Sequence, residues 1–325
     1  MFYIWAWLVL YTFVSIVLPQ SISFSLLTLL TLTTLLLWVF LCGGPSAMYE
    51  VLEARTQPRI PLVPPHPARR PLVVVIGSAT GLGQQVAALC RRKKYIVQEG
   101  DVQFSGAKHC DLTSIPSIQK FVATIITTID VLVLSAGICD ATGVPISGQQ
   151  SIHPRMLWVN FLGQVCFLEE AKKQGIAIQK IVSITSGAYA RGTTKEYYSK
   201  TWNVLAAMKY YSQSKFLLTT YFARLQMLHG TNVTMVNPGP MRSTMGDQHV
   251  PLLLWPMYGL MKEVLFPLPK EAAKTVMYCI DAKKNIKYMH IRIEAALSPI
   301  VKDLQVQEWV MKHTRAALQR WYHLD

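Results

Sequence analysis

The sequence is poor in acidic residues and lacks the spacings by which cysteine and histidine usually bind metals. Its 325 residues include 18 Asp and Glu against 32 Lys and Arg, with six cysteines and eight histidines. The cysteines form no CxxC pair, which argues against a zinc site or a disulfide framework and favours a reducing compartment. The net charge of +14 could indicate binding to nucleic acid or to anionic lipid. No nucleic-acid motif accompanies it.

The N-terminus carries no charge at all, since the first formal charge is Glu50. Residues 1–18 and 22–41 are two apolar stretches, and a membrane-spanning helix needs ~20 apolar residues. We therefore expect a hydrophobic membrane anchor of one or two segments over residues 1–41. A cleaved signal peptide fits less well, because no basic residue precedes the apolar run. Arginines follow the anchor, and by the positive-inside rule they place the next domain on the cytosolic side.

Residues 42–70 are rich in proline and predict a semi-rigid linker. Short apolar runs then alternate with helical periodicity over the domain that we assign to residues 71–325. The predicted strands are 71–76, 95–97, 131–134, 180–185 and 232–236, and the predicted helices are 84–94, 116–128, 154–173 and 204–228. This alternation predicts an α/β fold with a doubly wound, Rossmann-type parallel sheet.

A glycine-rich turn follows the first predicted strand of this domain. Gly77, Gly81 and Gly83 have the spacing GxxxGxG and lie directly before a predicted helix. In such a turn the glycines allow a tight bend and a close approach of the backbone to a pyrophosphate, which the helix N-terminus then favours. A glycine-rich turn can also be only a turn. Its position after an apolar strand favours the phosphate-binding interpretation.

On these glycines and on motifs further along, the chain resembles the short-chain dehydrogenase/reductase superfamily over about residues 71–300. The run YSQSKFLLTTYFARL and the segment VNPGPMRSTM are most similar to the retinol- and hydroxysteroid-oxidising branches. The resemblance implies a cofactor site at Gly77, Ser78, Thr80, Gly81, Leu82, Gly83, Asp111, Leu112, Ser135, Ala136, Gly137, Tyr211, Lys215, Pro238, Gly239 and Thr244, and a catalytic tetrad of Asn160, Ser186, Tyr211 and Lys215.

The residue types of this tetrad suit proton transfer at a carbonyl oxygen. A free tyrosine has a pKa of ~10, which is too high for a good base near neutrality. Lys215 lies four residues after Tyr211, so on a helix the two share a face, and an ammonium there favours the phenolate. Ser186 could hold the substrate oxygen, Asn160 could order a water, and Lys215 could also bond the ribose of the cofactor.

The sequence departs from the family pattern in two places. The stretch between the second strand and Asp111 is too short for the usual intervening helix. Glu99 or Asp101 could accept a bond from a ribose 2′-hydroxyl and favour NAD(H), whereas nearby basic residues could meet the 2′-phosphate of NADP(H), so both cofactors stay open. Residues 187–210 form an insertion beside the predicted active site.

These features predict a membrane-anchored, NAD(P)-dependent oxidoreductase that interconverts a lipophilic alcohol and its ketone or aldehyde, such as a retinoid, steroid or acyl lipid. The apolar residues 250–268 lie where the family carries its substrate lid; they could line a pocket, touch the bilayer or simply pack in the core. The alternative is a non-catalytic membrane protein that binds a dinucleotide as a sensor or scaffold. We expect membrane lipid as a partner, no metal, an endoplasmic reticulum membrane with the domain facing the cytosol, and compatibility with a homo-oligomer.

Overall fold

A computed structural model describes most of the domain after residue 69 and two isolated residues before it. The described residues are Leu29, Glu53, 70–103, 108–139, 155–194, 204–229, 231–245, 247 and 255–322. The predicted anchor and linker therefore lie outside the described residues, apart from Leu29, Glu53 and Arg70. Among the residues described, no helix has both the length and the apolar character that a membrane span requires.

In the described residues, eight strands form one sheet in the order β3-β2-β1-β4-β5-β6-β7-β8, and every pair among them is parallel except β7 with β8. The strands are β1 Leu72–Ile76, β2 Ile96–Asp101, β3 Lys108–His109, β4 Val131–Leu134, β5 Lys180–Ile184, β6 Asn232–Asn237, β7 Tyr288–His290 and β8 Ile293–Glu294. Strand order reverses at β1, which has β2 on one side and β4 on the other. The predicted doubly wound parallel sheet is confirmed, and in such sheets ligands bind at the carboxyl ends of the strands beside this reversal.

Helices cover both faces of the sheet. They are α1 Gly81–Arg92, α2 Ile115–Val122, α3 Arg155–Leu157, α4 Gly163–Lys173, α5 Val204–His229, α6 Trp255–Leu265, α7 Pro269–Asp281, α8 Pro299–Lys302 and α9 Leu304–Tyr322. A π-helical turn, Trp158–Leu162, joins α3 to α4, and a 3₁₀ helix, Gly187–Arg191, follows β5. Because each crossover returns the chain to a parallel strand, the loops that follow the strands collect at one edge.

The first strand shows why this sequence builds a buried sheet. Val73 and Val75 pack with α1 and α7 on one face, while Val74 and Ile76 pack with α2, α4, α5 and α9 on the other. All four side chains are fully or almost fully buried. An uninterrupted apolar run is what a parallel strand covered on both faces requires.

Several predicted boundaries were wrong. The helix predicted over 116–128 ends at Val122, and the residues after it include the β-branched run Ile125-Ile126-Thr127-Thr128, which disfavours a helix. The strand predicted over 95–97 extends through Asp101, and the helix predicted over 154–173 contains the π-helical turn. No helix intervenes between β2 and Asp111 in the described residues, which exclude 104–107.

Candidate active site

The glycine-rich turn leaves β1 at the carboxyl edge of the sheet. A side chain at Gly77, where φ is +87°, would collide with the backbone of Ala136. A side chain at Gly83 would collide with the carbonyl of Gly77. Gly81 also has a positive φ, +58°, but a Cβ there would enter open space. Gly77 and Gly83 thus allow the close packing within the turn, and Gly81 leaves the space in front of the turn open.

The same turn presents polar groups that suit an anion. Helix α1 begins at Gly81 with no acidic residue in its first turn, and Thr80 makes no side-chain capping bond. The hydroxyls of Ser78 and Ser135 are buried without a hydrogen-bond partner among the described residues. Backbone N–H groups and hydroxyls without a partner can donate hydrogen bonds to a pyrophosphate, and the helix dipole favours its negative charge. The predicted residues Ser78, Thr80, Gly81, Leu82 and Gly83 therefore fit a dinucleotide.

The acidic residues at the end of β2 differ in their contacts. Glu99 forms an ion pair with Arg91 on α1. Asp101 instead accepts a hydrogen bond from the backbone N–H of Ala79 at 2.9 Å. This bond fixes a carboxylate against the glycine-rich turn, where the adenosine ribose of a dinucleotide would lie.

Asn160 lies in the π-helical turn, a feature that is rare and often marks functional sites. Its Oδ1 accepts a bond from the Ile138 N–H at 2.8 Å, and its Nδ2 donates to the Ile138 carbonyl at 2.9 Å. Gln164, one helical turn later, donates to the Ala136 carbonyl at 3.0 Å and to the Asn160 carbonyl at 3.3 Å. Together the two amides fasten the turn Ser135-Ala136-Gly137 onto this helix.

Ser214 joins Asn160 to the helix that carries Tyr211 and Lys215. The Asn160 Nδ2 donates to the Ser214 Oγ at 3.0 Å, and that hydroxyl donates to the Tyr211 carbonyl at 2.8 Å. These bonds join Asn160 to the backbone of Tyr211, and Lys215 lies on the same helix.

Lys215 is buried, and its Nζ donates a bond to the Ile184 carbonyl at 3.0 Å, at the end of β5. No carboxylate pairs with it within the described part of the chain. Burial lowers its pKa from 10.5 to about 8. Its Nζ lies 5.9 Å from the centre of the Tyr211 ring. A Cβ on Gly137 would lie 3.5 Å from this Nζ and 3.6 Å from the Asn160 Oδ1, so the three residues meet at one point.

Ser186 follows β5 by two residues and caps the 3₁₀ helix, since its Oγ accepts a bond from the Ala188 N–H at 3.3 Å. The segment after it packs along α5. The Gln213 side chain accepts from the Thr193 N–H at 2.9 Å and donates to the Thr193 carbonyl at 2.7 Å. The start of the predicted insertion is therefore clamped onto the helix of Tyr211, while residues 195–203 lie outside the described residues.

The remaining predicted cofactor residues lie in the segments that follow β3 and β6. Asp111 accepts bonds from the N–H and the hydroxyl of Thr113 at 2.8 and 2.7 Å, so it shapes its own turn. Leu112 is buried against Gly163. Pro238 is buried, Gly239 has φ of +75°, and Thr244 is exposed in the segment after β6. In the described residues no group of three or more His, Cys, Asp or Glu could hold a metal ion.

A model of the NAD dependent epimerase/dehydratase family matches residues 73–251. Since this match covers more than half of the chain, the chain belongs to that family and, with it, to the short-chain dehydrogenase/reductase superfamily of oxidoreductases, which confirms the resemblance of the motifs. The site fits the dinucleotide that the family name implies, because the glycine-rich turn and its orphaned hydroxyls supply the required donors.

Two curated relatives are similar to part of the chain. Retinol dehydrogenase 14 of Mus musculus is 30% identical over 191 residues, which is 53% of either chain. Dehydrogenase/reductase SDR family member 13 of Bos taurus is 28% identical over 239 residues, which is 63% of this chain and 61% of that one. The chain thus matches little more than half the length of these relatives.

Two solved structures have the same fold. A short-chain dehydrogenase/reductase of Brucella melitensis, described as glucose/ribitol dehydrogenase, superposes with a TM-score of 0.51 at 21% identity over 68% of this chain and 94% of that one. Ligand-free aldohexose dehydrogenase of Thermoplasma acidophilum superposes with a TM-score of 0.51 at 19% identity over 71% of this chain and 97% of that one. At such identity the likeness concerns the fold alone.

Two residues and one contact at this edge were not predicted from the sequence. They are Gln164 and Ser214, which hold Asn160 and its turn, and the contact of Asp101 with the glycine-rich turn. Gln164 follows Asn160 by four positions, a helical spacing that could have suggested a shared face. Nothing in the sequence indicates that the Ser214 hydroxyl bonds Asn160, because the pairing depends on how two helices pack.

Proposed function

We propose that this protein is an NAD(P)-dependent oxidoreductase that interconverts an alcohol and its ketone or aldehyde, with Tyr211 as the proton donor and acceptor. The observation that carries the proposal is Lys215. It is a buried lysine without a carboxylate partner in the described residues, beside the Tyr211 ring and next to Gly137 and Asn160. Burying an unpaired ammonium is costly, so such groups occur mainly where function uses them.

The roles of the other residues follow from their positions. Hydride transfer is the chemistry that a nicotinamide supplies when it is bound. Tyr211 would give its proton to the carbonyl oxygen during reduction, and the Lys215 ammonium would stabilise the resulting phenolate. Ser186, at the carboxyl end of β5, would hold the reacting oxygen. Asn160 has both of its amide protons bonded to Ile138 and Ser214, so it would position the site and offer only its Oδ1 to a water.

The contacts of Asp101 favour NAD(H) over NADP(H). Its carboxylate is fixed against Ala79 in the glycine-rich turn, and no basic residue lies within that turn. A 2′-phosphate near this carboxylate would meet like charge, whereas a 2′-hydroxyl could donate to it.

The substrate class and the cellular location are the finer parts of the proposal. One relative is named retinol dehydrogenase, and residues 250–268 are strongly apolar; within them, Tyr258 on α6 is buried. Both observations support a lipophilic alcohol or carbonyl compound, of retinoid, steroid or acyl-lipid type. The uncharged residues 1–41 support a membrane anchor, with the domain in the cytosol at the endoplasmic reticulum.

Turnover on a panel of lipophilic alcohols and ketones, with NAD(H) and with NADP(H), tests this proposal. Tyr211→Phe should lower turnover by ~10²–10⁴-fold, because general acid–base catalysis typically contributes that much, while cofactor affinity stays nearly unchanged. Tyr210→Phe is the matched control: it also removes one hydroxyl from α5, but no lysine follows four residues later. Undiminished turnover of Tyr211→Phe would identify another proton donor, and no turnover by the wild type with any substrate would favour the sensor or scaffold alternative.

A further inference from the structure

A series of hydrogen bonds runs from the segment after β6 to a residue far upstream in the chain. The Gly239 N–H donates to the Asn237 Oδ1 at 3.0 Å. The Asn237 Nδ2 lies 3.1 Å from the His290 Nδ1, and the His290 Nε2 lies 2.9 Å from a carboxylate oxygen of Glu53. Glu53 belongs to the predicted linker, 237 positions before His290. We call these four residues the Glu53 series.

The donors and acceptors of the Glu53 series can be assigned one after another, starting from Gly239. Gly239 can only donate through its N–H, so the oxygen of Asn237 faces Gly239 and its NH₂ group faces His290. The imidazole must then accept at Nδ1, which also lies 3.3 Å from the Tyr288 hydroxyl, and donate from Nε2, for which a carboxylate is the natural acceptor. Every donor in the series meets an acceptor, which is the arrangement expected of a specific contact.

The contact between Glu53 and His290 is also partly shielded from water, and the backbone beside His290 is constrained. The side chains of Glu53 and His290 are 15% and 20% exposed, so water screens this contact less than an exposed surface pair. The Ile291 N–H donates to the Asn237 carbonyl at 2.7 Å. Ile291 is buried with φ of +56°, a conformation that is rare for a β-branched residue and persists only where its surroundings enforce it.

His290 also adjoins the segment that begins at Ser186. Its ring packs against Tyr288, with centres 6.2 Å apart, and Tyr288 packs edge-on against Tyr189 at 6.0 Å. Tyr189 lies on the 3₁₀ helix that Ser186 caps. The Glu53 contact therefore abuts both segments that would enclose the nicotinamide end of the cofactor.

We propose that Glu53 docks on the active-site edge at His290, and that His290 is a positioning residue that couples this docking to Pro238-Gly239. The coupling rests on the proposed function, because it concerns the segment that would contact the nicotinamide. By linkage the effect is reciprocal: docking strengthens cofactor binding, and cofactor binding strengthens docking.

Cross-linking tests the docking without reference to activity. The full-length double variant Glu53→Cys with His290→Cys should react with a short bismaleimide to give an intramolecular link between the two residues, identified by peptide mass. The matched control combines Glu53→Cys with Ile126→Cys, which is 92% exposed after α2, far from the carboxyl edge. Linking of the first pair no faster than the control pair would overturn the docking.

NADH affinity, measured by fluorescence titration, tests the coupling. His290→Leu and Glu53→Ala should each weaken NADH binding by roughly fivefold, at the low end of typical coupling between sites. The double variant should be no weaker than either single variant, because both interrupt the same series. His290→Gln should restore wild-type affinity, since its amide supplies one acceptor and one donor as the neutral imidazole does.

Three results would overturn the coupling: wild-type affinity in both single variants, additive losses in the double variant, or no rescue by His290→Gln. A merely structural histidine would lower the melting temperature without producing this pattern. If the wild type binds no dinucleotide, the proposed function fails, and the cross-link then decides the docking alone.

Discussion

The two edges of the parallel sheet differ in the charges that lie near their buried lysines. At the amino edge, Asp281 binds both the Lys93 ammonium and the Tyr95 hydroxyl. Lys180 there donates only to the Ala282 carbonyl at 3.0 Å, and burial lowers its pKa, but the nearby charges of Cys279 and Asp281 oppose that lowering. At the carboxyl edge, the hydroxyls of Ser78, Ser135 and Thr185 have no partner among the described residues, and Lys215 has no carboxylate there.

This difference allows a comparison of a part that holds the fold with the part that the proposed function assigns to a ligand. A buried polar group without a partner costs stability. Such groups also occur elsewhere in the described residues, as at Asn232 and Thr234, but two of those at the carboxyl edge lie in or beside the glycine-rich turn. At the amino edge, Asp281 pairs with Lys93, lies near Lys180 and connects β2 with α7. Under the proposed function, the unpartnered hydroxyls of the carboxyl edge would donate to a pyrophosphate, and Lys215, whose Nζ lies 5.9 Å from the centre of the Tyr211 ring, would serve proton transfer.

Removing one lysine at each edge should sharpen this comparison most. Lys93→Met should cost about 3 kcal/mol of unfolding free energy, because it leaves the buried Asp281 carboxylate without its cation. Lys215→Met should instead stabilise the protein at pH 7. The lowered pKa of Lys215 corresponds to about 3 kcal/mol lost on folding, of which about 1 kcal/mol is returned by its bond to Ile184. Denaturant titration of both variants measures the difference.

The sign of the Lys215 effect sets its pH dependence. Its folded pKa of about 8 lies below the ordinary value of 10.5, so folding disfavours the ammonium. The cost is full below about pH 8 and disappears as the pH rises toward 10.5. The gain from Lys215→Met should fade over this window. A destabilised Lys215→Met protein at pH 7 would contradict the view that this edge gives up stability.

Two glycines allow the same comparison without a change in charge. Gly81 at the carboxyl edge and Gly175 after α4 both have positive φ, +58° and +72°, with open space where a Cβ would lie. Alanine at either position should cost ~1 kcal/mol of stability from backbone strain. Gly81→Ala should also weaken NADH binding roughly tenfold, because its methyl group enters the space that the pyrophosphate would occupy. Equal NADH affinity in the two variants would mean that the cofactor lies elsewhere.

The features that depend on local pattern were predictable from the sequence. The apolar run of β1 and the glycines after it predict a buried strand and a phosphate turn, and the spacing of Tyr211 and Lys215 predicts a shared helix face. The structure brings Lys215 and Asn160 together at Gly137. The end of α2 was missed, because helical periodicity continues in the sequence where the backbone stops.

Features that depend on packing between distant segments were beyond prediction. The π-helical turn at Asn160 follows from bonds to Ile138 and Gln164, which no periodicity reveals. The contact of Glu53 with His290 joins residues 237 positions apart. Such contacts form only when the whole fold brings distant segments together, so no local pattern in the sequence predicts them.

The most direct test of the account is the pH dependence of NADH affinity in the wild type and in Lys215→Met. We predict that the wild-type dissociation constant is nearly constant below about pH 8 and then rises up to about tenfold per pH unit as the ammonium loses its proton. The Lys215→Met protein should bind more weakly below that pH and show no such rise. Parallel pH profiles in the two proteins would contradict the claim that the unpaired lysine at the carboxyl edge is held for the cofactor.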